Sequence, residues 1–341
     1  MIDKGSFFLL TREDSTKGAD TVNMNLKGLI AAGLAVLGAL TGCTSASVKV
    51  EESASYTEGD SSAQQRVELK ADKLEKLDIS SGSGAFTVHL EEDGVPYVQM
   101  KTKIRGIHIG PKPRLDVVES GNSTSISVKG GGWISFGSIR QEIDLYLPKD
   151  AVRELDVGIG SGSFYCGGME LDALNLRLAS GEAVLDSVSA EEMGLYVSSG
   201  DFVLKDAVAG KVKAKLTSGE MDIETVGEPV ALKASVSSGD FSFEGGLSQG
   251  ELGCTSGEID VVSSTLPEAL SCTVSSGDVH LELPEKEAEE AGFSIACKVS
   301  SGHFYNEFPY VDSEGKQVTG RGEKEYQFKI TSGSIRLEPK R

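Results

Sequence analysis

Residues 195–205 read LYVSSGDFVLK, and this stretch contains the pattern that decides the fold. Apolar residues alternate with polar ones on both sides of the Ser-Gly step. Leu195 and Val197 before the step share a side with Phe202 and Leu204 after it. A period of two residues is typical of a β-strand with one buried face. The stretch therefore predicts two short strands joined by a turn or bulge, for which glycine's access to positive φ is suited.

Similar copies of this stretch recur along most of the chain. They share the core x-Ser-Gly, usually followed by Asp or Glu, with glycine at positions 162, 181, 200, 219, 239, 257, 277, 302 and 333. Successive glycines are 19, 19, 19, 20, 18, 20, 25 and 31 residues apart. An earlier copy is centred on Gly84, where Leu77–Phe86 matches Leu155–Phe164. One copy cannot bury its apolar side alone, whereas stacked copies bury a continuous core.

The repeat predicts an all-β protein built as a single-stranded parallel β-solenoid, or β-helix, with rungs of about 19–20 residues. Regular rungs are expected over 149–341. Residues 67–148 alternate more loosely and are expected to add irregular N-terminal rungs as a cap, which gives one solenoid domain over 67–341. A β-sandwich is the alternative. Each rung is expected to bury one apolar residue at a second corner, namely Val188, Val208, Val226, Leu247 and Leu266.

The tandem units also resemble a known family. Over nearly all of residues 70–341 the chain is similar to the bacterial putative-adhesin family of β-strand-repeat domains. The resemblance implies a repeat fold of unknown function, with no catalytic residues to transfer. The units that carry it are Ser199-Gly200-Asp201, Ser218-Gly219-Glu220, Ser238-Gly239-Asp240, Ser256-Gly257-Glu258 and Ser276-Gly277-Asp278.

The N-terminal region has the form of an export signal. Met24-Asn25-Leu26-Lys27 precedes the apolar run Gly28–Leu40, which is too short to span a bilayer. The run ends in Leu40-Thr41-Gly42-Cys43, which resembles the lipobox of bacterial lipoproteins, where the cysteine is lipidated and becomes the N-terminus. We predict a signal region over 1–42, with Met24 as a candidate true start and a long n-region as the alternative. Cys43 is the predicted lipidation site.

Lipidation at Cys43 predicts an extracytoplasmic protein anchored to the cell membrane, because several buried acyl chains hold firmly. Thr44 resembles no inner-membrane retention signal, so in a diderm cell the outer membrane is expected. Residues 43–66 are rich in Ser and Glu and lack apolar periodicity, so we expect a flexible tether.

Composition narrows the partners. The chain has 52 acidic and 33 basic side chains and a formal net charge of −19, so it offers no net cationic surface to nucleic acid. A membrane, through the N-terminal lipid, and a cell-surface polymer or an envelope protein are the expected partners. Hydrophobic residues make up 39% of the chain, which is too apolar for disorder.

The acidic residue that follows each repeat glycine is a candidate cation site. If the copies align, these carboxylates form one row with a spacing of about 4.8 Å. Ca²⁺ prefers several carboxylate oxygens, and a solvated turn position is the competing interpretation. No other cofactor is expected. The row consists of Glu182, Asp201, Glu220, Asp240, Glu258 and Asp278.

Cysteine spacing leaves two interpretations open. Cys272 and Cys297 both stand five residues before their motif glycine, so they are expected to be neighbours on adjacent rungs. An exported protein permits a disulfide between them. Two buried free thiols are the alternative.

Three function classes follow, and the first is preferred. The repetitive faces favour a surface adhesin or other binding or structural module that is not an enzyme. An accessory protein of envelope-stress signalling is the alternative. A polysaccharide-acting β-helix enzyme would need clustered acids and bases that break the repeat, which the monotonous central copies lack.

Overall fold

The chain folds almost entirely into β-strands within the residues that the computed structural model describes, which are 46–47, 51–57, 60–130 and 134–340. These residues belong to one unit, Cys43–Arg341. The predicted signal region and the predicted lipidation site, Cys43, lie outside the described residues.

The described part up to residue 148 contains eight strands and one short 3₁₀ turn. They are β1 (Ala46–Ser47), β2 (Glu51–Thr57), β3 (Asp60–Glu68), the 3₁₀ turn (Ala71–Lys73), β4 (Lys76–Glu91), β5 (Tyr97–Ile109), β6 (Arg114–Ser120), β7 (Ser123–Lys129) and β8 (Ile134–Pro148).

The remaining described residues contain fifteen strands and one short helix. The central strands are β9 (Glu154–Gly167), β10 (Glu170–Asp186), β11 (Ser189–Thr225), β12 (Val230–Val236), β13 (Asp240–Gly245), β14 (Leu247–Cys254), β15 (Glu258–Ser263), β16 (Ala269–Val274) and β17 (Asp278–Pro284). The C-terminal elements are α1 (Glu285–Glu290), β18 (Phe293–Val299), β19 (His303–Asn306), β20 (Val311–Ser313), β21 (Lys316–Thr319), β22 (Lys324–Ile330) and β23 (Ser334–Lys340).

The central copies lie side by side in parallel register. Gly181 of β10 pairs with Gly162 of β9 and with Gly200 of β11. Beyond β11 each copy is divided at its glycine. Each copy then has two arms, which are the strand before its glycine and the strand after it. The arms before the glycine pair in parallel in the order β11, β12, β14, β16, and the arms after it pair in parallel in the order β11, β13, β15, β17. The all-β class predicted from the repeat is confirmed.

The predicted alternation decides which side chains enter the core. In the copy around Gly200, the side chains of Leu195 and Phe202 are fully buried, and Val197 is 2% exposed. In the copy around Gly162, the ring of Phe164 lies tilted against Phe86 of β4 at a centroid distance of 6.1 Å, so apolar contact continues between adjacent copies.

Backbone contact is what requires glycine at the centre of most copies. A Cβ at Gly257 would lie 2.1 Å from the carbonyl oxygen of Gly239, a distance that no side chain can occupy. Among the described residues, only three of the glycines at the centre of a copy have the expected positive φ. They are Gly84, Gly181 and Gly219.

The last two copies stack in the reverse of their chain order. β23 pairs in parallel with both β17 and β19, so the copy around Gly333 lies between those around Gly277 and Gly302. On the other arm, β22 likewise lies between β16 and β18. The chain therefore leaves β17 through α1, forms the outermost pair β18 and β19, and returns to fill the gap. The β20–β21 hairpin covers the edge of β18 through an antiparallel pairing.

The opposite end begins with a regular copy. Leu77 of β4 pairs with Leu155 of β9, and Gly84 pairs with Gly162, which confirms the match between the two copies. The other side of β4 pairs in parallel with β7 and β8. The chain between β4 and β9 is therefore an insertion that covers this end.

The insertion is a mixed sheet, and the expectation of further rungs over 67–148 is corrected for most of its strands. β5 pairs antiparallel with β3 and β8, and β6 pairs antiparallel with β7. A two-residue turn joins β6 to β7, and in it Gly121 has a φ of 61°. Antiparallel neighbours need only such a hairpin, whereas parallel neighbours need a long crossover.

The predicted tether is corrected for residues 51–57 and 60–66. These residues form β2 and most of β3, which pair with each other, and β3 also pairs with β5. Gln65 is buried, and its side-chain amide donates to the carbonyl of Pro113 while its carbonyl accepts from Leu115 N–H at 2.8 Å. Backbone pairing along a sheet needs no apolar periodicity, which is why the polar composition was misleading.

The second corner buries an apolar residue, although not always the predicted one. Three of the five predicted positions are buried, whereas Val208 and Val226 are 45% and 43% exposed. Ala207 is fully buried in place of Val208. Asp206 has a φ of 49°, and this left-handed residue shifts the strand alternation by one position.

Candidate functional site

The acidic row forms as the register requires. Asp201 pairs with Glu182 on β10, and three consecutive pairings join the other four residues across β11, β13, β15 and β17. All six carboxylates are exposed. Their alignment agrees with the sequence analysis, while cation binding by the row stays a prediction.

The electrostatics of the row centre on Glu258. The charge of Asp260, two residues along β15, raises the pKa of the Glu258 carboxyl most strongly. Partial burial adds to this, followed by the row neighbours Asp240 and Asp278, while His280 opposes it. The strand register places Glu258 between Asp240 and Asp278, so these carboxylates lie close enough to repel one another.

A histidine interrupts the acidic face on β17. The Nε2 atom of His280 lies 2.6 Å from Oε1 of Glu338 on β23, and its Nδ1 atom lies 3.5 Å from Oδ1 of Asp260 on β15. Glu282 is two residues beyond His280 on the same strand. This group could not be predicted from the repeat, because the histidine does not recur in the other copies. The matched patterns His280-x-Glu282 and Arg336-x-Glu338 were the available signal.

The arms before the glycines carry a groove with basic residues at one end. Its volume is about 410 Å³, and it crosses β11, β12, β14, β16 and β22. Five strands at about 4.8 Å make a groove of roughly 19 Å along the stacking direction. Lys211, Lys213 and Lys233 line it, and the acidic residues Glu251 and Glu325 line it as well. These lysines alternate with core residues, so the sequence pattern showed their outward position but not the groove.

Two ion pairs and an aromatic contact hold the basic residues in place. Nζ of Lys233 lies 2.6 Å from Glu251, and Nζ of Lys211 lies 3.4 Å from Glu192. Nζ of Lys213 lies 6.0 Å from the ring centroid of Tyr196. Exposed ion pairs of this kind contribute little to stability, so a ligand can replace them at low cost.

The predicted cysteine pair is separated by a strand. Cys272 pairs with Phe328 of β22, and Phe328 pairs in turn with Cys297. Two strand spacings amount to about 9.6 Å, which exceeds the range of a disulfide. The two cysteines are free, and the prediction that they are neighbours is wrong because β22 is inserted between them. Burial raises the pKa of the Cys166 thiol to about 12 and also raises that of Cys272.

In the last two copies, the serine before the glycine takes part in a contact between copies. Ser301 and Ser332 lie 3.3 Å apart through their hydroxyls, and Ser301 donates to the carbonyl of Thr331 at 3.1 Å. The imidazole of His89 contacts Asp144 at 3.2 Å and stacks on a tyrosine ring, away from this row. A nucleophile needs a base within hydrogen-bond reach, and these contacts provide none.

The antiparallel pair formed by β5 and β8 has an apolar end. Ile107 and Ile109 are 64% and 56% exposed, and Phe136, the register partner of Ile107, is 71% exposed. Lys103 and Arg140 face each other nearer its base. Among the described residues, no helix is long and apolar enough to cross a membrane.

The fold and these surfaces define a β-strand-repeat protein with one acidic and one partly basic face. The chain belongs to the Toastrack DUF4097 family, which matches it over residues 61–245 and 101–338. The function of this family is unknown, in agreement with the resemblance described from the repeat units. No curated protein matches the sequence.

Three solved structures are similar to this chain. A "putative cell adhesion protein" of Clostridium sporogenes is 10% identical, with 81% of this chain and 99% of that chain covered and a TM-score of 0.20. A "putative adhesin" of Bacteroides fragilis is 13% identical, with 81% and 96% covered and a TM-score of 0.41. A "putative lipid binding protein" of Parabacteroides distasonis is 17% identical, with 80% and 96% covered and a TM-score of 0.40. At these TM-scores none of the three indicates what this chain binds.

Proposed function

We propose that the protein is a non-catalytic binding module of the cell surface, lipid-anchored at Cys43, that holds an acidic polymer in the groove of its basic face. Its parallel circuits of about 19–20 residues form a β-solenoid in this proposal. The proposal is based on the groove, which is long and is lined by three lysines and two acidic residues, with the lysines together at one end.

The basic end of the groove supports an anionic ligand. Lys213 and Lys233 are register partners on β11 and β12, so two like charges face each other across one strand spacing. Such a pair is unfavourable, and Glu251, 2.6 Å from Nζ of Lys233, balances one of the two charges. Ala231 and Ala269 line the same groove and leave room between the longer side chains. An extended polymer with carboxylate or phosphate groups fits this arrangement.

Lipid anchoring would place the cap next to the membrane. The predicted lipid is attached a few residues before β2 and β3, and β3 pairs with β5, whose far end carries the exposed apolar residues. The exposed side chains of Ile107 and Phe136 would then add a second contact with the bilayer.

The acidic row is a second candidate site, and we propose Ca²⁺ as its ligand. Its support is the register, which pairs Glu182 with Asp201 and places the other four carboxylates in one continuous series. A role in envelope-stress signalling would use the same faces to bind a membrane protein, which separates it experimentally from polymer binding.

The test is binding of the full chain, carrying Cys43→Ser to prevent lipidation, to matched acidic and neutral polysaccharides by calorimetry. We expect affinity for acidic polymers, and a loss of at least tenfold in the double variant Lys213→Ala, Lys233→Ala. A matched control is Lys149→Ala, Lys205→Ala, which removes the same charge from exposed positions elsewhere. Equal losses in both double variants would attribute binding to net charge rather than to the groove. Binding only to an envelope protein would support the signalling role.

A further inference from the structure

Three potential metal ligands meet on the outer face of β17 and β23. His280 and Glu282 are two residues apart on β17, so their side chains leave the same face of the strand. Glu338 on β23 is the register partner of Glu282. One imidazole nitrogen and two carboxylate oxygens of these residues all lie within 4.8 Å of one another. The arrangement offers three ligand atoms on one side and solvent on the other.

The imidazole is already oriented for metal binding. Its Nδ1 atom lies 3.5 Å from Asp260, and its Nε2 atom faces Glu338 at 2.6 Å. Histidines that bind metals usually have the second ring nitrogen beside a carboxylate, which fixes the ring. Asp260 occupies that position here, on the strand that precedes β17 in the stack.

Charge also favours a cation at this position. Glu282 and Glu338 face each other across one strand spacing, an unfavourable pairing for two carboxylates. Arg336 lies 3.9 Å from Oε2 of Glu338, which leaves Oε1 directed at the imidazole. A divalent ion between the three ligand atoms would relieve the repulsion that Arg336 only partly offsets.

We propose that His280, Glu282 and Glu338 bind one divalent transition-metal ion, with Zn²⁺ as the best match. An imidazole combined with carboxylates suits Zn²⁺, whereas Ca²⁺ and Mg²⁺ prefer oxygen ligands alone. Solvent completes the coordination on the open side. The site is separate from the groove and does not depend on polymer binding.

The ion would connect two strands that are distant in sequence. β23 is the strand that returns to fill the gap between β17 and β19. A bond through the metal from β17 to β23 would therefore fasten the reordered end of the array.

The experiment is a titration of the metal-free full chain, carrying Cys43→Ser, with Zn²⁺ by calorimetry, followed by the same titration of His280→Gln and Glu338→Gln. We expect one site that is tighter than any other, weakened at least tenfold in each variant. The melting temperature should rise on Zn²⁺ addition in the parent chain and not in the variants. His303→Gln, an exposed histidine on β19, is the matched control and should bind as the parent does.

Two results would overturn the proposal. One is a Zn²⁺ affinity for His280→Gln equal to that of the parent chain. The other is a Co²⁺ absorption spectrum with a thiolate charge-transfer band, which would assign the ion to the cysteines. Melting of the metal-free variants verifies that each is folded, so that a loss of binding reports on the ligand and not on the fold.

Discussion

The central copies and the C-terminal copies contain the same motif, but the chain connects them in a different order. From β9 to β17 each copy lies beside the next copy in sequence. From β18 to β23 the order reverses, although the glycines still touch: a Cβ at Gly302 would lie 2.1 Å from the Gly333 carbonyl oxygen. The motif therefore determines the structure of each copy, while the linker determines which copy stacks beside it.

The largest effect is expected at Phe328, a core residue of β22, the strand that returns to lie between β16 and β18. Its side chain is 2% exposed and packs edge-on against Phe304 at a centroid distance of 5.4 Å. We expect Phe328→Ala to lower the free energy of unfolding by about 4 kcal/mol, measured by denaturant unfolding. Tyr305→Ala, at a site that is 46% exposed, is the control and should cost far less. Equal costs would contradict the burial of Phe328 in the core of the returning segment.

The contact between glycines should matter in the central circuits as well. Gly257→Ala places a Cβ against the Gly239 carbonyl, so we expect a loss of about 3 kcal/mol in the free energy of unfolding. Gly82→Ala is the control, because nothing lies within 4 Å of a Cβ at that position. If both variants melt alike, close backbone approach is not the reason for the repeat glycine.

Charge repulsion along the acidic row should change the free energy of unfolding less than the two substitutions above. Because the pKa of Glu258 is raised in the folded state, its charged form is disfavoured there, and stability should fall as the pH rises through the titration of this carboxyl. Glu258→Gln should therefore raise the free energy of unfolding at neutral pH by about 0.5 kcal/mol at low salt, and salt should reduce the gain. Glu228→Gln is the exposed control. If Glu258→Gln instead lowers the free energy of unfolding, the charge of Glu258 stabilises the fold and is not repelled by its neighbours.

The same row allows a direct test of cation binding. If the six carboxylates collect Ca²⁺, millimolar Ca²⁺ should raise the melting temperature of the full chain, because a ligand of the folded state stabilises it. An unchanged midpoint would rule out a structural Ca²⁺ row.

Reducing agent should have no effect on the unmodified chain, because β22 keeps Cys272 and Cys297 apart. Thiol titration of the denatured, unreduced protein should count all four cysteines of the 67–341 region as free. Phe328→Cys provides the contrast, since it places a thiol beside both cysteines. Only this variant should become sensitive to reductant after mild oxidation.

Local structure could be predicted from the sequence because it is repeated. The alternation around Gly200 identified the buried residues Leu195 and Phe202, and the match of two distant copies identified the pairing of Leu77 with Leu155. Each of these features depends on residues within one copy or on equivalence between two copies. The position of the acidic row followed in the same way.

The order of the copies could not be predicted, because equivalent copies present equivalent edges. Nothing in the sequence around Gly302 or Gly333 distinguishes which one stacks on Gly277. The linkers before these two copies are longer than the others, which allows the chain to change the stacking order but does not predict that it does. The groove and the group at His280 depend on this neighbour order, since both include a strand of the returning segment.

The interior position of β23 limits how such a protein can change its number of repeats. A copy added after residue 340 would find no open edge beside β23, which is paired on both sides by β17 and β19. A copy duplicated within 154–284 would extend the stack without disturbing either end, because each circuit there contacts only its sequence neighbours. Length variation among related proteins should therefore be concentrated in the middle of the chain, while both ends keep their fixed sets of strands.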